Sequence, residues 1–123
     1  HGRLKPPSDT PNSVSSQADL YPQHPMRATA RIEPLRYEGD GRAALQRALS
    51  IVAGMERTRI TVRQPDYIRA ECTTKLMRFT DDLELWLDER AGLIHVRSAS
   101  RIGYGDRGVN RARVEAIRAA MAR

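Results

Sequence analysis

The strongest constraint on the fold is a strict two-residue alternation that breaks once and then resumes. Leu83, Leu85 and Leu87 alternate with Asp82, Glu84, Trp86 and Asp88, and after Arg90-Ala91-Gly92 the alternation returns with Ile94 and Val96. Successive side chains of a strand point to opposite faces, so this pattern specifies two half-buried strands joined by a tight turn. Pairing Glu89 with Gly92 sets Leu87 against Ile94 and Leu85 against Val96 on an inner face. It leaves Trp86 against His95 and Glu84 against Arg97 on the outer one. A slip of one residue would send every leucine outward, so the core this hairpin must build dictates its register.

Upstream, Ile60 and Val62 alternate with Thr61 and Arg63 up to a turn at Gln64-Pro65-Asp66, followed by a second strand over residues 67–73. In that strand Ile68, Ala70 and Cys72 share one face. Residues 31–37 predict a short first strand, which Pro34 restricts to an edge or a bulge. Asp40 offers an N-cap to a helix in which Leu45, Ala48, Leu49 and Val52 recur at helical spacing as far as Gly54. A closing helix is expected from Asn110 as N-cap, with Val109 and Val114 as a hydrophobic staple and Ile117 and Met121 continuing the apolar stripe. The order β-α-β-β-β-β-α predicts an α+β fold, a curved antiparallel sheet with two helices on one face. Before it, Pro6, Pro7, Pro11, Pro22 and Pro25 forbid a regular helix. The expected organisation is an extended Pro/Ser-rich arm over residues 1–30 and a single α+β domain over residues 31–123.

A chain of 123 residues with 40% hydrophobic content can bury one core without staples. Its net charge of +6 favours anionic partners: a small molecule, a lipid headgroup or an acidic protein surface. Of 21 basic residues only Lys5 and Lys75 are lysines, so 19 are arginines, whose planar fork suits carboxylate and phosphate. A coding sequence rich in G and C yields the same excess, so the count alone names no ligand. Nucleic acid is disfavoured, because aromatic residues are only 5% and the arginines alternate with acids. The lone Cys72 excludes an intrachain disulfide and cysteine-pair zinc sites, and reads as a small core residue. The three histidines and the Asp81-Asp82 pair lack metal-ligand spacing, and no cofactor is expected. No apolar run approaches the roughly 20 residues needed to cross a bilayer.

The richest stretch chemically is residues 97–113, with five arginines, two serines and three glycines at a predicted strand-to-helix junction. Free N–H groups at a helix start carry partial positive charge, and glycines let an anion approach them. Arg111 and Arg113 fall where that dipole disfavours cations, so an acidic group is expected nearby. The candidate anion site comprises Arg97, Ser98, Ser100, Arg101, Tyr104, Gly108, Asn110, Arg111 and Arg113. The competing reading is an internal network in which Asp81, Asp82, Glu84 and Asp106 neutralise those arginines. Gly103-Tyr104-Gly105-Asp106-Arg107-Gly108 matches G-x-G-x-x-G, but no parallel strand or ribose-binding acid follows, so the glycines read as a tight turn. Ser98 and Ser100 share the face of Ile94 and Val96, where their hydroxyls are expected to bond Asp82 or the turn backbone. His95 reads as a packing partner of Trp86, and His24 falls in the arm. No nucleophile motif surrounds Ser15 or Ser16, so no catalytic residue is assigned. An enzyme would be signalled by Asp82, Tyr104 and Arg101 converging in an open pocket.

Three segments together resemble the bacterial domain-of-unknown-function family 1499. They are Pro11-Asn12-Ser13-Val14-Ser15-Ser16, Arg78-Phe79-Thr80-Asp81-Asp82, and Arg97-Ser98-Ala99-Ser100-Arg101 through Gly108-Val109-Asn110-Arg111 with Arg113-Val114-Glu115. The resemblance covers nearly the whole sequence and brings no activity with it. It implies a secreted, lipid-anchored or membrane-associated protein of the cell envelope or periplasm, with an export segment preceding His1. A cytoplasmic location is the alternative. The family pattern usually carries two cysteines around Pro-Asn; Pro7 and Ser13 stand there here, so no disulfide pins the arm. The pattern does not require Gly105, which further weakens a dinucleotide loop.

Overall fold

The computed structural model describes residues 3–75, 78–103 and 105–123. Its strands are β1 (Ser13–Ser15), β2 (Leu35–Arg36), β3 (Thr58–Gln64), β4 (Tyr67–Thr73), β5 (Thr80–Asp88) and β6 (Leu93–Ser100). Its α-helices are the one-turn α1 (Arg27–Ala30), α2 (Gly41–Ala53) and α3 (Val109–Met121), with a 3-10 turn over Ala18–Leu20. The strands form one antiparallel sheet in the order β1-β6-β5-β4-β3, and β2 pairs with the same edge of β6 as β1 does. The fold is α+β.

The central hairpin has the register its alternation specifies: Leu85 opposes Val96, Leu87 opposes Ile94, Trp86 opposes His95 and Glu84 opposes Arg97. Its inner face supplies Leu83, Leu85, Ile94 and Val96, each at most 1% exposed, to a core closed by Leu45, Ala48 and Val52 of α2 and Val114 and Ile117 of α3. Burying each of these larger aliphatic side chains is worth about 1.5–3 kcal/mol, which explains why both long helices settle on this face. Asp40 Oδ1 accepts from Arg42 N at 3.3 Å and caps α2 as expected. At the far edge, β3 carries a bulge between Ile60 and Val62, and the flanking Arg59 and Arg63 guard the exposed edge against pairing with another chain.

Four expectations need correction. The strand expected over residues 31–37 is only two residues long; Pro34 has no N–H to donate, and the preceding residues pack across β1 through a parallel bridge between Ser15 and Arg31. Residues 13–15, expected in an extended arm, form a sheet strand: Val14 opposes Ser98 and is 4% exposed. A three-residue strand with one apolar side chain shows no alternation, so only the unpaired edge of β6 creates it. The outer face of the hairpin is not open to water, since Glu84 and Arg97 are each 7% exposed. Finally, Asn110 is not the N-cap. Gly108 takes that position with a φ of +79°, Asp106 supplies the capping carboxylate, and the supposed staple fails because Val109 is 41% exposed while Val114 is buried.

Candidate functional site

The site is best built outward from Asn110, which is fully buried in the first turn of α3. Its Nδ2 donates to the Asn12 carbonyl at 3.0 Å, to Ser100 Oγ at 3.0 Å and to Asp106 Oδ2 at 2.7 Å. Its Oδ1 accepts from Ser98 Oγ at 2.7 Å and from Arg113 Nη1 at 2.8 Å. One carboxamide therefore ties β6, the loop, α3 and the segment before β1. Asn12 is held from a second side, because its Nδ2 donates to the Gly103 carbonyl at 2.8 Å. Gly103 takes a φ of +96°, a conformation open to glycine that lets the loop double back.

The helix start is already occupied by an internal anion. Asp106 Oδ1 accepts from Gly108 N at 2.9 Å, and its Oδ2 accepts from Asn110 N at 3.1 Å. These are the free N–H groups that the sequence offered to a bound phosphate or carboxylate. The turn geometry that invited the G-x-G-x-x-G comparison thus serves a cap.

Four of the motif's five arginines, Arg97, Arg101, Arg111 and Arg113, have separate destinations. Arg97 lies on the outer face, where Nε and Nη2 donate to the Pro6 carbonyl at 3.2 and 3.0 Å; burial pushes its pKa below the ordinary arginine value. Residues 3–8 are thereby strapped over the sheet, with Leu4 5% exposed and Leu4 N donating to Gln17 Oε1 at 2.6 Å. Arg101 grips Asp82 through Nε at 3.0 Å and Nη2 at 2.9 Å, and reaches Glu71 Oε2 at 2.7 Å. Those hydrogen bonds raise its pKa further. Arg111 Nη2 donates to the carbonyls of Thr29 and Arg31 at 3.0 and 2.9 Å. Arg113 points inward to Ser98 Oγ, Asn110 Oδ1 and Asp81 Oδ2, the last at 2.7 Å. Tyr104 lies outside the described residues.

Ser98 and Ser100 bond Asn110, not Asp82 or the turn backbone as expected, because strand alternation points them at α3 while Asp82 faces the opposite side. On that opposite side, Arg69 Nη2 also reaches Asp82 at 2.7 Å, and Arg59 Nη2 reaches Glu71 at 2.8 Å, completing a partly buried five-residue ion network. Burial pushes Asp82 up, but Arg101 and Arg69 more than offset this and hold it below the usual carboxylate range. Sequence reasoning missed Asn12, Pro6, Arg69 and Glu71; only Asn12 had a signal, as part of the Pro11-Asn12-Ser13 segment. Trp86 and His95 stack as expected, with ring centroids 5.5 Å apart and 7° between planes. Among the described residues no group of three His, Cys, Asp or Glu could hold a metal ion, and no helix is long and apolar enough to cross a membrane.

The fold and this network define a small α+β domain in which an arginine-, serine- and asparagine-rich motif stitches the last strand and last helix to the N-terminal segment. The chain belongs to the family described as Protein of unknown function (DUF1499), whose model matches residues 3–121 of 123. Compared with curated proteins and with solved structures, it finds no match in either.

Proposed function

We propose that this domain is a non-catalytic module of the cell envelope, in which the 97–113 motif is a structural fastener and not a ligand site. The observation carrying this reading is how the described residues of the candidate anion site are engaged: Asp106 accepts from the N–H groups of Gly108 and Asn110 at the helix start, and Arg97, Arg101, Arg111 and Arg113 each meet a protein acceptor. An anion entering here would have to displace a tethered carboxylate, which competes at high effective concentration. The envelope location rests on the family resemblance.

The test pairs binding with stability. Titrating the protein with phosphate and sulfate should show no saturable heat at millimolar ligand, while Arg97→Ala, Asp82→Ala and Arg101→Ala lower the melting temperature. Saturable phosphate binding that Arg101→Ala abolishes in a still-folded protein would instead establish the motif as an anion site.

A further inference from the structure

The strap of residues 3–8 lies over the outer face of the sheet with a period of its own. Leu4 and Pro7 are buried, while Lys5 and Pro6 between them are exposed. Burial at every third residue is what a polyproline II helix gives, because it has three residues per turn. Pro6 and Pro7 fix their own φ in that range, and each also restrains the residue before it, so Lys5 is biased the same way. Such a helix has no internal hydrogen bonds, and its main-chain groups are left for the surface beneath to read.

Side chains of the domain do that reading. Leu4 N donates to Gln17 Oε1 at 2.6 Å, Tyr21 Oη donates to the Leu4 carbonyl at 2.8 Å, and Arg97 grips the Pro6 carbonyl through Nε and Nη2. Aromatic rings flank these bonds. Arg3 sits 5.3 Å over the Tyr21 ring, and the cross-strand neighbours Tyr67 and Trp86 line a cavity of about 370 Å³ beside Leu4 and Lys5. Aromatic-lined grooves are how proline-rich segments are held in general. Because the hydrogen bonds go to main-chain atoms, any chain with the same backbone and apolar residues three apart can make them.

The strap is an incomplete occupant. Glu84 stands in the wall of that cavity, 7% exposed, and its Oε1 accepts from Tyr67 Oη at 2.7 Å. Its Oε2 is buried with no hydrogen-bond partner among the described residues. Closing the strap over an unsatisfied carboxylate oxygen costs free energy and weakens the strap's hold.

We infer that this face is a recognition groove for a polyproline II segment of another protein, one with an apolar residue and a proline three positions apart, and that residues 4–7 close it in cis. Arg97 has the same task with either occupant, holding a proline carbonyl, so groove and fastener coexist. Arg3 and Lys5 leave with the strap. What remains around the cavity is Gln64, Tyr67, Trp86 and Glu84, whose Oε2 is then offered to a donor on the incoming segment.

Trp86 is the only tryptophan, so its fluorescence reports on the groove. The probes are a blocked peptide of residues 3–8 and the same peptide with alanine in place of both prolines. Each is titrated into the whole protein and into Leu4→Asp and Pro7→Asp, which loosen the strap and leave the groove unchanged. The parent should bind the proline peptide saturably, and each strap variant should bind it at least about tenfold more tightly. The alanine peptide should bind at least about tenfold more weakly than the proline one. Tyr21→Phe, which keeps the ring and loses the donor, should weaken the proline peptide in the Leu4→Asp background. No saturable binding by the parent or by any strap variant that still unfolds cooperatively overturns the inference, and so does equal binding of the two peptides. A parent that forms concentration-dependent dimers, broken up by Leu4→Asp, also overturns it, since exchange of straps between copies then fills the groove. Phosphate titration reads none of these outcomes, so a failure here leaves the fastener reading standing.

Discussion

Asp81 Oδ2 and Arg113 Nη2 lie 2.7 Å apart with their side chains 0% and 9% exposed, a buried ion pair joining the start of β5 to α3. Neither Asp81 oxygen accepts a well-aligned hydrogen bond from the described residues, so the contact is chiefly Coulombic. Arg113 also donates to Ser98 and Asn110, which makes it the link between this pair and the carboxamide network.

Breaking this pair from one side should cost far more than removing it. Arg113→Met leaves an uncompensated buried carboxylate and is expected to destabilise by about 3–5 kcal/mol, whereas Arg113→Met combined with Asp81→Leu should recover most of that loss. Urea unfolding of the single and double variants checks this. A double variant no more stable than Arg113→Met would show that the packing around Ser98 and Asn110, not the charge, sets the cost.

Asn110→Ala removes the acceptor of the buried Ser98 hydroxyl and one of the two donors to the Asn12 carbonyl, which keeps the N–H of Ser100. A loss of about 1–3 kcal/mol is expected, the cost of a buried group left without a partner. Limited proteolysis should then cut near Asn12 well before global unfolding. Cleavage rates equal to the parent's would mean that β1 pairing alone holds the segment.

The partly buried network around Arg101 sets an acid limit. Asp82 and Glu71 both have folded-state pKa values below the ordinary range, so they contribute stability that is complete above about pH 4 and is lost as pH falls through their folded values. Arg101→Ala should move the acid-unfolding midpoint upward and change stability less at 1 M salt than at low salt. A midpoint unchanged at low salt would remove Arg101 from the acid limit.

His95 provides a second pH signature. Burial lowers its pKa, with Asp88 only partly opposing this, and Nδ1 lies 3.1 Å from Ser16 Oγ, which also accepts from Val96 N. The neutral ring is therefore the folded form, and stability falls as pH drops below about 6.5 and the unfolded chain takes up the proton first. NMR titration should give a pKa below that of a free imidazole, and Ser16→Ala should change it. A value at or above the ordinary one would place the charged ring in the fold.

Legibility divides along a physical line. The hairpin register, α2 with its Asp40 cap, and the β3–β4 turn were readable because each depends on neighbours a few residues apart. Leu87 and Ile94 pair because a two-residue period on either side of a tight turn admits no other core. The first strand was not readable, and β2 only as a longer strand over residues 31–37: Ser13–Ser15 has no period of its own and is a strand only because β6 presents an unpaired edge. The cap of α3 went to Asp106 and not Asn110, because the loop conformation that frees Asn110 to turn inward is a property of the closed structure.

The sequence by itself therefore determined the α+β class, the inner face and the place where arginines gather. Which arginine meets which acceptor was decided only in three dimensions. A guanidinium on a long side chain has many partners within reach, and the choice among them depends on segments brought together from far along the chain. Asn110 and Asn12 are 98 residues apart in sequence and 3.0 Å apart in the fold; no local pattern encodes that meeting, because the core that enforces it exists only once the helices have packed.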